Sequence, residues 1–152
     1  MRDAVDDDLF TPALQERRFE VPAEGERPWR LGSQLYVAFF GGPLAAGAIA
    51  WMNADKLDVK WRDRRLIVAA AVAGLVAVVV AAFFVDGSSP LRLAVRIAGV
   101  VAWGPMYLAQ RSADRVYAMY APDDAYDSMW GPGLACTLGF GLLTALVVEL
   151  IA

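Results

Sequence analysis

The chain has 152 residues, of which 58% are hydrophobic, with a mean hydropathy of +0.42 and a formal net charge of −3. The absence of histidine and the single cysteine, Cys136, exclude bis-histidine haem, cysteine-ligated clusters and disulfides within the chain. The slightly acidic balance gives no reason to expect nucleic-acid binding, and we expect no cofactor.

Charge is distributed in blocks along the chain. Four segments contain no Asp, Glu, Lys or Arg: 31–53, 66–85, 97–110 and 128–148. A globular protein intersperses charge along its helices, whereas bilayer spans exclude it. The pattern therefore predicts an all-α integral membrane protein. Its fold would be a four-helix bundle (31–152) with spans at about 31–52, 66–85, 91–109 and 133–152.

Residues 1–30 form a polar tail with eight acids and five arginines. Thr11 and Pro12 are a plausible helix start, and Pro22, Gly25 and Pro28 favour an extended linker after it. Three interpretations stay open for this tail: a solvated segment, a docking segment for a partner, or a strap on the membrane surface.

The first predicted span contains Gly41-Gly42-Pro43 at its centre. Proline removes a backbone donor and clashes with the preceding turn, and the two glycines lack stiffening side chains. We therefore expect a kink or a local unwinding near the middle of the bilayer. Such breaks mark binding sites in some transporters, but they also occur for packing alone.

The segment 38–57, AFFGGPLAAGAIAWMNADKL, is followed by a basic stretch and a second apolar helix. It resembles a group of small bacterial multi-pass membrane proteins that carry an F-G-G-P-L-A-x-G segment in their first helix. The resemblance covers the first two predicted spans well and the rest loosely. That group has no assigned activity, so the resemblance implies a location in the bacterial inner (cytoplasmic) membrane and a topology, and no chemistry.

The second span is the clearest one. Residues 66–85 are all apolar, and a helix of that length covers about 30 Å, the thickness of the bilayer core. Ala73, Ala77 and Ala81 form a row that would let another helix approach closely. The breaker-rich segment 86–90 predicts a tight turn into the third span.

Spans three and four carry the few charges inside the predicted membrane domain. Arg92 and Arg96 occupy the first two turns of span three, and Glu149 lies near the end of span four. Because both ends would lie on one side, we predict an intramembrane ion pair between Arg96 and Glu149, with Arg92 or Arg30 as other partners. Alternatively, Glu149 reaches water at the terminus.

Asp123, Asp124 and Asp127 form a D-D-x-x-D cluster in the loop before span four. Three carboxylates are a weak candidate site for Mg²⁺ or Ca²⁺, which prefer oxygen ligands. More simply, Asp123 caps a short interfacial helix and the other two favour its positive end.

Orientation follows from the basic residues near the spans. With four spans, the loops at 54–65 and 110–130 share one side and carry seven basic residues, against five on the side of the tail. The excess predicts that both loops are cytoplasmic and that both termini are outside.

The sequence predicts a protein that is not an enzyme, because it lacks nucleophile and phosphate-cradling motifs. We expect a structural or regulatory subunit of the bilayer that packs against another membrane protein or against itself. The alternative is a small oligomeric channel or transporter, with Gly41-Gly42-Pro43 and Arg96 near its pathway.

Overall fold

The computed structural model describes residues 22–85, 87–121 and 125–151, with the backbone alone for Ser88 and 147–151. The regular secondary structure of these segments is all helical, and no strand occurs among them. A short 3₁₀ turn, Leu31–Ser33, leads into the first of four helices. The helices are α1 (Gln34–Lys56), α2 (Trp61–Phe84), α3 (Ser88–Tyr120) and α4 (Trp130–Ile151).

Helix α1 reverses direction at Gly42. The backbone of Gly42 has φ 75° and ψ −170°, a conformation that is almost confined to glycine. The side chains of Gln34 and Asn53 both reach the amide of Gln110. A straight helix would separate these two residues by about 28 Å. Helix α1 is therefore a helical hairpin with arms 34–41 and 43–56, called the hairpin below.

This reversal corrects the prediction of a kinked first span. Pro43 opens the second arm, where its fixed φ suits the first position of a helix and its missing N–H costs nothing. The glycine turn and the proline start thus end one helix and begin another, which a kink would not do. The arms cover about 12 Å and 21 Å, so neither crosses a bilayer core of about 30 Å.

Three helices are long and apolar enough to cross a membrane by length and composition: Leu31–Lys56, Trp61–Phe84 and Ser89–Tyr120. The first of these reaches that length only when both arms of the hairpin are counted together. The apolar segment Trp130–Leu146 is shorter, although α4 as a whole has 22 residues and covers about 33 Å. The geometry therefore leaves α2, α3 and α4 as the helices that traverse the molecule, and the predicted four-span bundle becomes three helices around a hairpin.

The hairpin lies at the centre and packs against all three other helices. Its tip stops partway along them: added Cβ atoms at Gly41 and Gly42 would meet Thr137 of α4 and Val95 in the first third of α3, and Pro43 packs against Gly74 near the middle of α2. The contact of Pro43 with Gly74 is possible because glycine leaves space for the proline ring. The core is accordingly concentrated around the two arms, with Ala38, Ala45, Ile49 and Ala50 fully buried.

Both feet of the hairpin lie at one end of the molecule. Residues 22–30, the connection 57–60 and the described residues between α3 and α4 (121 and 125–129) gather there, whereas Val85, Gly87 and the end of α4 lie at the opposite end. The expectation that tail and C-terminus share one side assumed a first span that crosses. Because that segment folds back, residues 22–30 lie with the two connections and away from the end of α4.

Helix α3 is longer than the predicted span 91–109. It continues to Tyr120, because Tyr117 is buried and its hydroxyl donates a 2.7 Å hydrogen bond to the carbonyl of Ala125. The last turns of α3 therefore anchor the connection to α4.

Candidate functional site

Three buried amides hold the feet of the hairpin to α3. Gln34, Asn53 and Gln110, called the amide cluster below, are each fully buried. Asn53 Nδ2 donates to Gln110 Oε1 at 2.9 Å, and Gln110 Nε2 donates to the carbonyl of Met106 at 3.1 Å. Gln34 and Gln110 also exchange two longer bonds of 3.3 and 3.4 Å. Each of the three amides is thus hydrogen-bonded to its neighbours.

The cluster suits anchoring better than chemistry. All three groups are neutral amides, which neither titrate near neutral pH nor act as nucleophiles. Buried polar groups stabilise a specific packing when they are mutually satisfied, as these are. Sequence reasoning did not single them out. The available signal was the placement of Gln34, Asn53 and Gln110 at the ends of otherwise apolar segments.

A strap, residues 22–30, crosses the feet of the hairpin. Lys56 binds it with two hydrogen bonds from Nζ, to the carbonyls of Gly25 at 2.8 Å and Arg27 at 2.9 Å. The same ammonium lies 4.1 Å from the ring centre of Trp29, a cation–π contact. The three interpretations offered above concern the whole tail, 1–30. Its described part, 22–30, packs against the protein.

Asp127 belongs to this strap contact. Its carboxylate accepts a 2.9 Å hydrogen bond from the N–H of Gly25 and lies 3.6 Å from Lys56 Nζ. Its own N–H donates to the carbonyl of Pro28 at 3.0 Å. Asp123 and Asp124 lie outside the described residues. In the part of the chain that the structure describes, no group of three or more metal-ligating side chains occurs.

The other charged candidate residues lie near the tip of the hairpin or outside the described residues. The guanidinium of Arg96 stacks on the ring of Phe39 at 5.2 Å, and both Arg96 and Arg92 are exposed. Phe39 precedes the turn at Gly42 by three residues, so Arg96 does lie beside the helix break. The side chain of Glu149 lies outside the described residues, and the predicted pair with Arg96 stays a prediction.

A titratable contact closes the connection between α3 and α4. Tyr126 donates a 3.1 Å hydrogen bond to Asp114, and Arg30 lies 5.4 Å from its ring centre. Burial, followed by the negative charge of Asp114, raises the pKa of Tyr126 to about 12. The phenol is therefore a hydrogen-bond donor across the physiological range.

A groove opens between the first arm of the hairpin and the start of α4. It encloses about 870 Å³ and is called the lateral groove below. Its mouth carries Arg30, Ser33, Asp127 and Ser128. Its deeper walls are Val37, Phe40, Leu134 and Thr137. Tyr36 and Trp130, which also line it, are 70% and 79% exposed, so the groove is open sideways.

The lateral groove is amphiphilic along its length. Polar and charged side chains lie at the feet of the hairpin, and apolar side chains lie toward the tip. No sequence pattern indicates this groove, because the groove exists only through the reversal at Gly42. Comparison of the chain with protein-family models, curated proteins and solved structures finds no match.

Proposed function

We propose that this chain is a non-catalytic subunit of a bacterial inner membrane. In this proposal α2, α3 and α4 cross the bilayer, the hairpin enters it from one side, and α2 packs against a second copy or a larger membrane complex. The observation that carries the proposal is the exposed, small-residue face of α2.

This face runs along most of the helix. Ala69, Ala73 and Ala77 are exposed at four-residue spacing, which places them on one side of α2. The adjacent Val72 and Val76 are 53% and 54% exposed. Small residues on one face let a second helix backbone approach closely, which is how helices associate where lipid removes the hydrophobic driving force. Gly74 lies on the buried side of α2 and packs against Pro43 inside the molecule.

The polar interior also supports a structural role. The hairpin is held by the amide cluster, whose members bond to one another and present no titratable group. Irregular backbone at membrane depth is tolerated where protein buries it, and Gly42 is buried. These features fit a rigid scaffold.

The basic residues support an orientation. Nine Lys and Arg of the described residues lie at the end that holds the hairpin feet: Arg27, Arg30, Lys56, Lys60, Arg62, Arg64, Arg65, Arg111 and Arg115. Only Arg92 and Arg96 lie in the other half of the described chain. By the positive-inside rule, the strap and both connections face the cytoplasm and α4 ends outside.

Oxidative cross-linking in native membranes tests the α2 interface. Cys136 is first replaced by Ala, and single cysteines are then placed at Ala73 or Ala77. The matched control is a cysteine at Leu142, which is 70% exposed on α4. Cross-linked dimers, or a fixed adduct with another membrane protein, from the α2 positions alone would support the proposal. No adduct, or equal adducts from Leu142, would contradict it, and ion flux through the purified protein in vesicles would favour a channel.

A further inference from the structure

We propose that the lateral groove binds one membrane lipid with an anionic phosphate headgroup. The headgroup lies at the mouth beside Arg30, and one acyl chain lies along the first arm of the hairpin and the start of α4. This inference rests on the membrane placement proposed above, but not on the α2 interface.

The deep part of the groove suits an acyl chain. Val37 and Phe40 form one wall and Leu134 the other, with Thr137 at the bottom. From the mouth to Phe40 or Thr137 each helix rises about 10 Å, and the whole groove falls within the usual range of small-ligand sites, about 300 to 1,000 Å³. Sideways exposure of Tyr36 and Trp130 leaves a path by which a lipid exchanges with the bilayer.

The mouth suits a negative headgroup. Arg30 lines the mouth and supplies a positive charge. Asp127 lines it too and supplies a negative charge, which the ammonium of Lys56, 3.6 Å away and outside the lining, offsets. Asp127 already bonds the N–H of Gly25 and pairs with Lys56, which turns its charge toward the strap. The hydroxyls of Ser33 and Ser128 add donors at the same level. Tryptophan is also favoured at the headgroup level, where Trp130 lies.

The polarity gradient selects a lipid over other occupants. A transmembrane helix of a partner would present apolar side chains to the charged mouth as well as to the walls. A soluble ligand would meet few hydrogen-bonding groups beyond the mouth. A lipid matches both parts, because its head is charged and its tail is apolar.

Native mass spectrometry of the full chain in detergent tests the inference, with phosphatidylglycerol or phosphatidylcholine added. We expect one retained phosphatidylglycerol per chain and weaker retention of phosphatidylcholine. Leu134→Trp should fill the groove and abolish retention, whereas Leu138→Trp, one turn further along α4 and outside the lining, should not. Arg30→Gln should weaken phosphatidylglycerol retention roughly tenfold, because losing one hydrogen bond to a charged group lowers affinity by about that factor. Arg62→Gln removes an exposed charge at the same end and should change nothing.

The proposal would be overturned if the wild-type chain retained the two lipids equally. It would also be overturned if Leu134→Trp retained as much phosphatidylglycerol as the wild type. A photoactivatable phosphatidylglycerol gives a second readout in the wild-type chain: adducts on 30–40 and 126–137 support the site, and adducts confined elsewhere contradict it. Unchanged thermal unfolding of each variant without lipid separates a filled groove from a damaged fold. Dimer mass in the same spectra reports the α2 interface separately.

Discussion

The backbone N–H of Trp29 donates a 2.6 Å hydrogen bond to Oδ1 of Asn53, although 24 positions separate the two residues. Trp29 precedes the hairpin and Asn53 lies near its end, so this bond closes it. The amide nitrogen of the same Asn53 side chain donates to Oε1 of Gln110, which ties the closed hairpin to α3. One side chain thereby joins the strap, the second arm and a traversing helix.

Cysteine labelling distinguishes the hairpin from a crossing first span. In chains without Cys136, we expect single cysteines at Glu24, Lys60 and Ser112 to react from one side of the membrane and a cysteine at Ser89 from the other. The hairpin returns the chain to the side on which it entered, whereas a crossing span would separate Glu24 from Lys60. Membrane-impermeant thiol reagents on intact and opened cells measure the sides. Opposite reactivity of Glu24→Cys and Lys60→Cys would disprove the reversal.

Gly42→Ala should destabilise the fold strongly. Its backbone conformation costs a non-glycine residue about 1 to 3 kcal/mol, and the added Cβ would lie 2.9 Å from Cγ1 of Val95. Gly139→Ala is the matched control, because nothing lies within 4 Å of its added Cβ. Thermal unfolding in detergent should show a lower midpoint for Gly42→Ala alone. Equal midpoints for the two variants would show that the turn does not depend on glycine.

Pro43→Ala should leave the hairpin reversed. The proline starts the second arm and does not interrupt it, so the labelling pattern of Glu24→Cys and Lys60→Cys should persist in this background. The loss of a fully buried ring against Gly74 should lower stability modestly. A straightened first helix, seen as opposite labelling, would assign the reversal to Pro43.

Within the amide cluster, Asn53→Ala should lower the free energy of unfolding more than Gln34→Leu. The first change leaves the buried N–H of Trp29 without its acceptor, a loss of about 1 to 3 kcal/mol. The second removes only the bonds of 3.3 and 3.4 Å, and Gln110 keeps Asn53 and the carbonyl of Met106. Free energies of unfolding in denaturant give the comparison. The reverse order would mean that the Gln34 pair holds the feet of the hairpin.

Alkaline pH should loosen the connection between α3 and α4. Because the pKa of Tyr126 is raised to about 12 from 10.0, the folded protein holds this proton more tightly than the unfolded chain does. The resulting stabilisation is complete below pH 10 and is lost as pH rises through about 12. Tyr126→Phe should remove that part of the pH dependence and the most alkaline tyrosine in an absorbance titration. An unchanged titration curve would place that pKa on another tyrosine.

The helical class and the position of the break at 41–43 follow from the sequence, since apolar blocks and a Gly-Gly-Pro segment have direct physical meanings. The reversal does not, because an apolar segment of 23 residues has the same composition whether it crosses the bilayer or folds back within it. Only the tertiary partners of Gln34 and Asn53 decide between these two paths. The lateral groove could not be predicted from the sequence either, because Arg30 and Leu134 line one cavity only as a result of that reversal.

The depth of the hairpin tip gives the molecule unequal cross-sections. Five helical segments share the half that contains the feet, and three continue beyond Gly42. Each helix is about 10 Å across, so in the proposed membrane placement the two additional segments would occupy roughly 150 Å² more in one leaflet than in the other. A tapered inclusion of this kind would displace more lipid from one monolayer, and its energy in the membrane would depend on the curvature of the surface around it.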